Sequence, residues 1–197
     1  FHKNSALKID RSKVVDLLKR GARLAVDDGK ENDFKKLKID SDLRAEDAIE
    51  RASVVIDCTP KGIGHENKLK YYENFSNKVK GFIAQGSENG FGKKYARGIN
   101  DNALTPEDKF IQIVSCNTHN ISCLTKTIAF NEDSNNLDNG DFICIRRAND
   151  LSQEESFIPA PKVGIHEDEK FGTHHAKDAH GLFLSLIHIS EPTRHRR

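Results

Sequence analysis

The distribution of apolar and polar residues predicts that helices alternate with strands along the chain. Apolar residues recur at helical spacing after Ser12 and again after Ser41, and both serines are candidate N-caps. Short apolar runs lie between these segments, at 24–26, 53–58 and 79–84. The run 53–58 shows no apolar-polar alternation, which is typical of a strand covered on both faces in a parallel sheet. The order of elements therefore predicts an α/β fold with a partial Rossmann-type, doubly wound sheet.

A further apolar run, 111–114, is followed by Ser115 and Cys116 and then by a helix-like segment with apolar residues at 121, 124 and 128. A strand that ends where a helix begins places the thiol near backbone N–H groups that favour its anionic form. This arrangement predicts that Cys116 is a nucleophile. The alternative is a buried structural thiol, because free cysteine packs as a small hydrophobic residue. Cys123 lies about two turns further on, away from the terminal dipole.

The character of the chain changes in its last third. A strand is predicted over 142–145, leading to Arg146 and Arg147, and a long polar segment then runs to about residue 175. We place a domain boundary after residue 114. Residues 1–114 are then predicted to be a partial dinucleotide-binding domain, and 115–183 part of an α+β catalytic domain.

Both ends of the sequence have unusual features. The chain contains no methionine and starts with Phe1. No Gly-x-Gly-x-x-Gly motif is present, so the phosphate-binding turn is expected upstream of a fragment. The segment 184–194 resembles a translated sequencing adapter, and we expect 184–197 to be an artefactual tail. The alternative is a short apolar segment with a basic end.

Composition excludes several classes of partner. The 31 basic and 30 acidic side chains nearly cancel, so charge gives no reason to expect nucleic acid or a membrane surface. No apolar run approaches the roughly 18 residues needed to span a bilayer, and no secretory signal is visible. The four cysteines include no Cys-x-x-Cys pair, which suits reduced thiols and a cytoplasmic protein without a metal site.

Two loops follow the apolar strands at positions where a doubly wound sheet binds its ligands. Thr59-Pro60 follows the run 53–58, and Gln85-Gly86 follows the run 79–84. Ligands of such sheets lie outside the carboxyl ends of the strands, so either loop could border a cofactor. Ordinary turns are the alternative, because proline and glycine are common in them.

Five motifs together resemble the archaeal-type (type II) glyceraldehyde-3-phosphate dehydrogenases. The family has Ile-Asp-Ala-Thr-Pro-Gly-Gly where this chain has residues 56–62, and Phe-Gln-Gly-Gly-Glu where it has 84–88. The others, in family order, are Ser115-Cys116-Asn117-Thr118, the run Arg146-Arg147-Ala148-x-Asp150, and the pair His174-His175. The resemblance spans roughly residues 14 to 180. It departs from the family at Ser87 and at His119-Asn120, where the family has Gly and Thr-Gly.

The resemblance implies a role for several residues. Cys116 matches the nucleophile, and Ser115, Cys116 and Asn117 together border the substrate. Gly86 and Arg147 match positions that contact the nicotinamide cofactor, and His174 and His175 match a pair that borders the sugar phosphate. Considered alone, the arginines could be a solvated pair and the histidines an exposed loop pair.

The implied reaction is the phosphorylating oxidation of glyceraldehyde 3-phosphate to 1,3-bisphosphoglycerate with NAD or NADP, in glycolysis and gluconeogenesis. It would proceed through a thiohemiacetal and a thioester on Cys116, with inorganic phosphate as second substrate. The complete protein is expected to be a homotetramer. The general-base histidine is expected beyond this chain, which alone would be inactive. Alternatives are a semialdehyde-type dehydrogenase and a non-catalytic, Rossmann-like binding protein.

Overall fold

The fold of the chain is given by a computed structural model, which describes residues 1–86, 88–131, 134–135, 140–143 and 171–184. The chain divides into two compact units. The first comprises residues 1–84 and 109–111, and the second comprises 85–108 and 112–197. The domain boundary that we place after residue 114 stays a prediction.

Short helices and strands alternate in the first unit. Its helices are α1 (Arg11–Lys19), α2 (Glu31–Lys36), α3 (Ala45–Glu50) and α4 (Ile63–Lys70), with single 3-10 turns at Lys8–Asp10 and Tyr72–Phe75. Its strands are β1 (Ala25–Val26), β2 (Leu43–Arg44), β3 (Val54–Asp57) and β4 (Gly81–Ala84). The predicted strands at 24–26, 53–58 and 79–84 are therefore confirmed, each one or more residues shorter than the apolar run.

The strands of the first unit pair in parallel. In one pair Ala25 of β1 lies opposite Leu43 of β2, and a bridge from His2 to Ala25 adds a further parallel neighbour. In the other pair β3 and β4 are in register from Val54–Gly81 to Asp57–Ala84. Parallel pairing with helices in the connections confirms the predicted α/β class.

A compact apolar cluster holds the first of these sheets. The buried residues that form it come from α1, β1, α2 and the adjoining segments: Val14, Leu24, Val26, Phe34 and Ile39. A second group of rings stabilises the β3–β4 pair, because Tyr72 stacks on Phe82 at 4.9 Å between ring centroids and Phe82 on Phe110 at 5.1 Å. Each such buried side chain contributes about 1.5–3 kcal/mol relative to an exposed one.

The expectation that β3 is covered on both faces is wrong for the described part of the first unit. Val54 and Ile56 are 45% and 67% exposed, whereas Asp57 is buried. Asp57, on the buried side of β3, accepts hydrogen bonds from Asn67 of α4 and from Tyr72 of the following 3-10 turn. The outward side chains have no comparable cover among the described residues of this unit.

The predicted helix starts are also displaced. Ser12 lies inside α1, which begins at Arg11, while Gly21 follows its end with a φ of +87°, as a helix-terminating glycine does. Ser41 opens no helix, since the residues after it form β2 and the helix starts at Ala45. The helix α2 was not expected, because its short, charged sequence buries only Phe34.

The second unit contains two long helices. Its elements are β5 (Lys93–Tyr95), a 3-10 turn at Asp101–Ala103, α5 (Cys116–Ala129), the antiparallel pair β7 (Phe130–Asn131) and β8 (Ser134–Asn135), and α6 (His174–Leu184). Strand β6 (Phe110–Ile113) starts in the first unit and ends in the second. Beyond β6, Val114 donates its N–H to the carbonyl of Tyr95 at 3.1 Å.

The core of the second unit lies around the helix α6. Leu182 of α6 is buried with Ala96, Ile99 and Val114. The ring of Phe183 meets that of Phe130 edge-on at 4.9 Å between centroids. Together these contacts place α6 beside the segment that leads into α5.

Two expectations concern the C-terminal third. The strand predicted over 142–145 is not formed at its start: Phe142 and Ile143 belong to no strand, and both are exposed. The rest of that segment, including Cys144, lies outside the described residues, as does the predicted tail beyond Leu184. Within the described residues, no helix has both the length and the apolar character to cross a membrane.

Candidate active site

Ser115 and Cys116 form the junction between a strand and a helix. Ser115 has an extended backbone (φ −62°, ψ 157°), and its Oγ accepts the N–H of Thr118 at 3.2 Å. Its carbonyl accepts the N–H of His119 at 2.9 Å, which is the first bond of the helix. Ser115 is thus the N-cap of α5, and Cys116 is the first helical residue.

The Cys116 thiol lies in the first turn of α5. The N–H groups of a first helical turn lack partners within the helix, and their dipoles stabilise negative charge. Cys116 is exposed, and its Sγ lies 4.0 Å from the amide oxygen of Asn117. Cys58 and Cys123 are also exposed and free, but Cys123 lies in the middle of α5. The nucleophilic role of Cys116 stays a prediction.

His175 lies beside this junction although it is 60 residues away in sequence. Its Nδ1 is 2.9 Å from Oγ of Ser115 and 3.3 Å from Oγ1 of Thr118. Its Nε2 is 3.4 Å from Nδ2 of Asn117. The second histidine of the pair, His174, is exposed, and its ring centroid is 3.9 Å from that of His175. Four of the five predicted substrate residues therefore lie together: Ser115, Cys116 and Asn117 in the first turn of α5, and His175 beside them. The fifth, His174, lies against the ring of His175.

An ion pair that sequence reasoning missed fixes the helix that carries His175. Lys94 pairs with Asp178 of α6, and its neighbour Lys93 pairs with Asp108 at 2.8 Å. The Asp178 side chain is 5% exposed and that of Lys94 31%. Asp178 follows His175 by three residues, so the pair anchors the same turn of α6. No sequence signal distinguished Asp178, because Lys177 and His180 stand beside it in the same helical turn.

Gly86 lies against the N-cap residue. A Cβ atom at position 86 would be 2.5 Å from the backbone nitrogen of Ser115 and 2.6 Å from its Cα. Only glycine permits such close backbone contact. This contact explains the glycine structurally, so its role in cofactor binding stays a prediction.

The buried side chain of Gln112 bonds to two described residues of the loop that follows β4. Gln112 is fully buried, and its amide oxygen accepts the N–H of Gly90 at 3.0 Å. Its amide nitrogen donates to the carbonyl of Gly86 at 3.4 Å. The side chain of Gln112 thus joins both ends of the 86–90 loop.

The buried side of α5 differs from the expected one. Leu124 and Ile128 are exposed, whereas Thr118, Ser122 and Thr125 are buried. Ser122 satisfies its hydroxyl by donating to the carbonyl of Thr118 at 2.8 Å. Short hydroxyl side chains can be buried in a helix when they bond to backbone in this way.

The Thr59-Pro60 loop in the first unit is held by Asp57. Asp57 accepts the N–H of Thr59 at 2.8 Å and the hydroxyl of Tyr72 at 2.7 Å. Burial acts to raise the pKa of Asp57, but the hydrogen bonds from Thr59, Tyr72 and Asn67 outweigh it and lower the pKa. This is a turn stabilised by an aspartate, and whether it borders a cofactor stays a prediction.

Two residues in the resemblance cannot be placed. These two, Arg147 as the second predicted cofactor contact and Ser87 as a departure from the family, lie outside the described residues, as does the rest of the 146–150 motif.

Three relatives found by comparison with known proteins carry the same name. No protein-family model matches the chain. The chain is 35% identical to the glyceraldehyde-3-phosphate dehydrogenase of Archaeoglobus fulgidus over 96 residues, which is 46% of this chain and 26% of that protein. It is 33% identical to the enzyme of the same name from Methanobacterium bryantii over 124 residues, 55% of this chain and 36% of that protein.

The longest of the matches considered extends over most of this chain. The glyceraldehyde-3-phosphate dehydrogenase of Methanobacterium formicicum is 28% identical over 197 residues, 90% of this chain and 54% of that protein. The chain thus spans at most about half the length of these curated relatives. The motifs, the α/β fold and these similarities agree: the chain is similar to archaeal glyceraldehyde-3-phosphate dehydrogenases over part of their length.

Proposed function

We propose that this chain is part of a phosphorylating oxidoreductase that converts glyceraldehyde 3-phosphate to 1,3-bisphosphoglycerate with NAD or NADP, in glycolysis and gluconeogenesis. One observation carries the proposal: Cys116 is the first residue of α5, and His175 is hydrogen-bonded to the residues on either side of it. Because the chain spans about half of its relatives, this activity belongs to the complete protein.

The first chemical step uses the position of the thiol. The Cys116 thiolate adds to the aldehyde carbon and forms a thiohemiacetal, whose oxygen carries the developing negative charge. The N–H groups of the first turn of α5, including that of Asn117, would donate to this oxygen. Ser115 and Asn117 border the bound aldehyde on either side of the nucleophile.

His175 lies beside the residue that follows the nucleophile. Its Nε2 is 3.4 Å from Nδ2 of Asn117. This position suits a contact with the phosphate of a bound aldehyde, as the resemblance implies. A general base must also take the proton of the thiohemiacetal.

A nicotinamide cofactor is proposed to bind beside the thiol. Gly86 follows β4 at its carboxyl end, carries no side chain and lies against Ser115. Gly86 and Arg147 would hold the cofactor, which when bound supplies the hydride acceptor that turns the adduct on Cys116 into a thioester. His174 and His175 would contact the phosphate of the sugar, and inorganic phosphate would cleave the thioester. The proposal includes a cytoplasmic homotetramer.

Reduction of the cofactor by the complete protein tests this proposal. We expect glyceraldehyde 3-phosphate to reduce NAD or NADP only when inorganic phosphate is present. Cys116→Ser should abolish the reaction and leave cofactor binding nearly intact, since a hydroxyl is a far poorer nucleophile at neutral pH.

Cys123→Ser is the matched control, because it changes an exposed cysteine of the same helix. It should retain most of the activity. Equal effects of the two substitutions would contradict the role of Cys116. A preference for a semialdehyde over glyceraldehyde 3-phosphate would instead identify a related dehydrogenase with the same nucleophile.

A further inference from the structure

An Asn-Gly pair lies in an exposed turn of the loop that follows β4. Asn89 and Gly90 are both exposed, and Gly90 has a φ of +87°. Asparagine followed by glycine is the dipeptide most prone to lose the side-chain amide, because glycine has no Cβ to hinder the approach of its backbone nitrogen. The pair is therefore a candidate site of spontaneous chemical modification.

Loss of the amide begins with attack by the backbone nitrogen of the glycine. The Gly90 nitrogen bonds to the side-chain carbonyl carbon of Asn89 and gives up its proton. The bond from that carbon to Nδ2 breaks, and Nδ2 leaves as ammonia. Water then opens the resulting succinimide ring and leaves aspartate or isoaspartate. Water is the sole co-reactant, and nothing is oxidised or reduced.

The nucleophile of this reaction is held by Gln112. The N–H of Gly90 donates to Oε1 of Gln112 at 3.0 Å, and Gln112 is fully buried in β6. Nε2 of the same side chain donates to the carbonyl of Gly86 at 3.4 Å. These two partners fix the orientation of the amide, because a flipped amide would face donor with donor and acceptor with acceptor.

The hydrogen bond to Gln112 opposes the attack in two ways. Attack requires the peptide group of Gly90 to turn toward the side chain of Asn89, whereas the bond keeps the N–H directed at Oε1. The nitrogen must also lose its proton, and an amide oxygen is too weak a base to take it. The reaction therefore requires local opening of the loop.

We propose that Asn89 is a site of spontaneous deamidation, and that Gln112 suppresses the reaction in the folded chain by holding the N–H of Gly90. Conversion of Asn89 would place a new carboxylate next to Glu88, which is fully buried, in the loop that starts at Gly86. The suppression is independent of the proposed enzymatic function, because it depends on hydrogen bonds within the loop alone.

Peptide mapping by mass spectrometry of the full chain, kept in mildly alkaline buffer, tests the site. Asn89 should be converted much more slowly in the folded chain than in the chain unfolded in urea, where solvent replaces Gln112 as the partner of Gly90. A second pair with the same sequence, Asn139-Gly140, provides an internal reference for the unfolded chain. Equal rates at Asn89 in the two forms would overturn the protection, and no conversion of Asn89 in urea would overturn the site.

Variants at position 112 test the role of the glutamine. Gln112→Leu and Gln112→Met both remove the acceptor, and each should raise the rate at Asn89 in the folded chain roughly fivefold, as expected for one ordinary hydrogen bond. Ile113→Val is the matched control on the same strand, because it retains Gln112 and should leave the rate unchanged. Rates in both Gln112 variants equal to that of the unmodified chain would refute the role of Gln112, and so would an equal acceleration by Ile113→Val.

Discussion

The backbone of Gly86 touches the backbone of Ser115. A side chain at position 86 would place its Cβ 2.5 Å from the Ser115 nitrogen and 2.9 Å from the Val114 carbonyl carbon. The loop after β4 and the N-cap of α5 are therefore packed without space for a methyl group. The geometry of the N-cap, and with it the position of Cys116, depends on this contact.

Gly86→Ala should consequently destabilise the protein. The new methyl group would meet backbone atoms, which cannot move aside as a flexible side chain can, and overpacking of this kind costs about 1–3 kcal/mol. Urea unfolding measures the effect. Gly81→Ala, at the other end of β4, is the control, because its Cβ would meet Lys109 O at an ordinary 3.7 Å. If both variants unfold at the same urea concentration, the close contact between Gly86 and Ser115 does not determine the stability of the protein.

Local patterns in the sequence were sufficient to predict the α/β class and the junction at Cys116. Both depend on neighbouring residues: continuous apolar runs for the strands, and a strand that ends at a small polar residue before a helix. The position of Gly86 at a strand end could be predicted for the same reason. Its contact with Ser115 could not, because that contact joins two strand ends 29 residues apart.

The parts that could not be predicted depend on long-range contacts. The proximity of His175 to Ser115 and the pairing of Lys94 with Asp178 join residues 60 and 84 positions apart. Similarly, the residues that pack against α5 determine which of its sides is buried. Thr118, a hydroxyl residue, is therefore buried, and Leu124 is exposed. Periodicity of apolar residues carries no information of this kind.

The side chain of Gln112 should be important for the stability of the 86–90 loop. Gln112→Leu keeps the approximate volume but leaves the Gly90 N–H and the Gly86 carbonyl without their side-chain partner. Loss of a partner costs about 1–3 kcal/mol when the polar group is buried, and less when it is not; Gly86 is half-buried and Gly90 exposed. Chemical denaturation should therefore show a loss of about 1 kcal/mol. For comparison, Ile113→Val, at a half-buried residue of the same strand, should cost about 0.5 kcal/mol or less.

Hydrogen exchange would locate the effect of Gln112→Leu. Exchange at the amide of Gly90 should accelerate more than exchange in α1, which belongs to the other compact unit. Unchanged protection at Gly90 would mean that the amide of Gln112 does not hold the loop.

The two partners of the Lys94–Asp178 pair should differ in their contributions to stability. Lys94→Met leaves a carboxylate that is only 5% exposed without its cation, whereas Asp178→Asn leaves a lysine that is 31% exposed and can reach water. An uncompensated buried charge is strongly destabilising, by about 3–5 kcal/mol when burial is complete. We therefore expect Lys94→Met to lower the free energy of unfolding more than Asp178→Asn.

A double-mutant cycle checks this pair. The variant with both substitutions should be more stable than Lys94→Met alone, because it removes the buried charge as well. Lys93→Met is a neighbouring control, since its pair with Asp108 is more exposed and should contribute about 1 kcal/mol or less. Additive effects of the two substitutions would show that Lys94 and Asp178 do not interact in solution.

Asp27 should make the first unit sensitive to acid. Its carboxylate accepts hydrogen bonds from Lys70 at 2.8 Å and from the Tyr71 hydroxyl at 2.5 Å, and His2 lies 2.8 Å away. Burial acts to raise the pKa of Asp27, but these partners outweigh it and lower the pKa from 3.8 to about 2. The folded state therefore favours the ionised form.

Because the pKa of Asp27 is lower in the folded state than in the unfolded state, its contribution is complete above about pH 5 and is lost as the pH falls toward 2. The shift corresponds to about 2 kcal/mol. Asp27→Asn should thus lower the free energy of unfolding at pH 7 by this order and make it less dependent on pH below 5. Urea unfolding at several pH values measures both effects.

Asp28→Asn is the control, because it removes an exposed pair with Arg44. It should change the free energy of unfolding by no more than about 1 kcal/mol and retain the acid dependence. An unaltered pH dependence in Asp27→Asn would show that other carboxylates cause the loss of stability in acid.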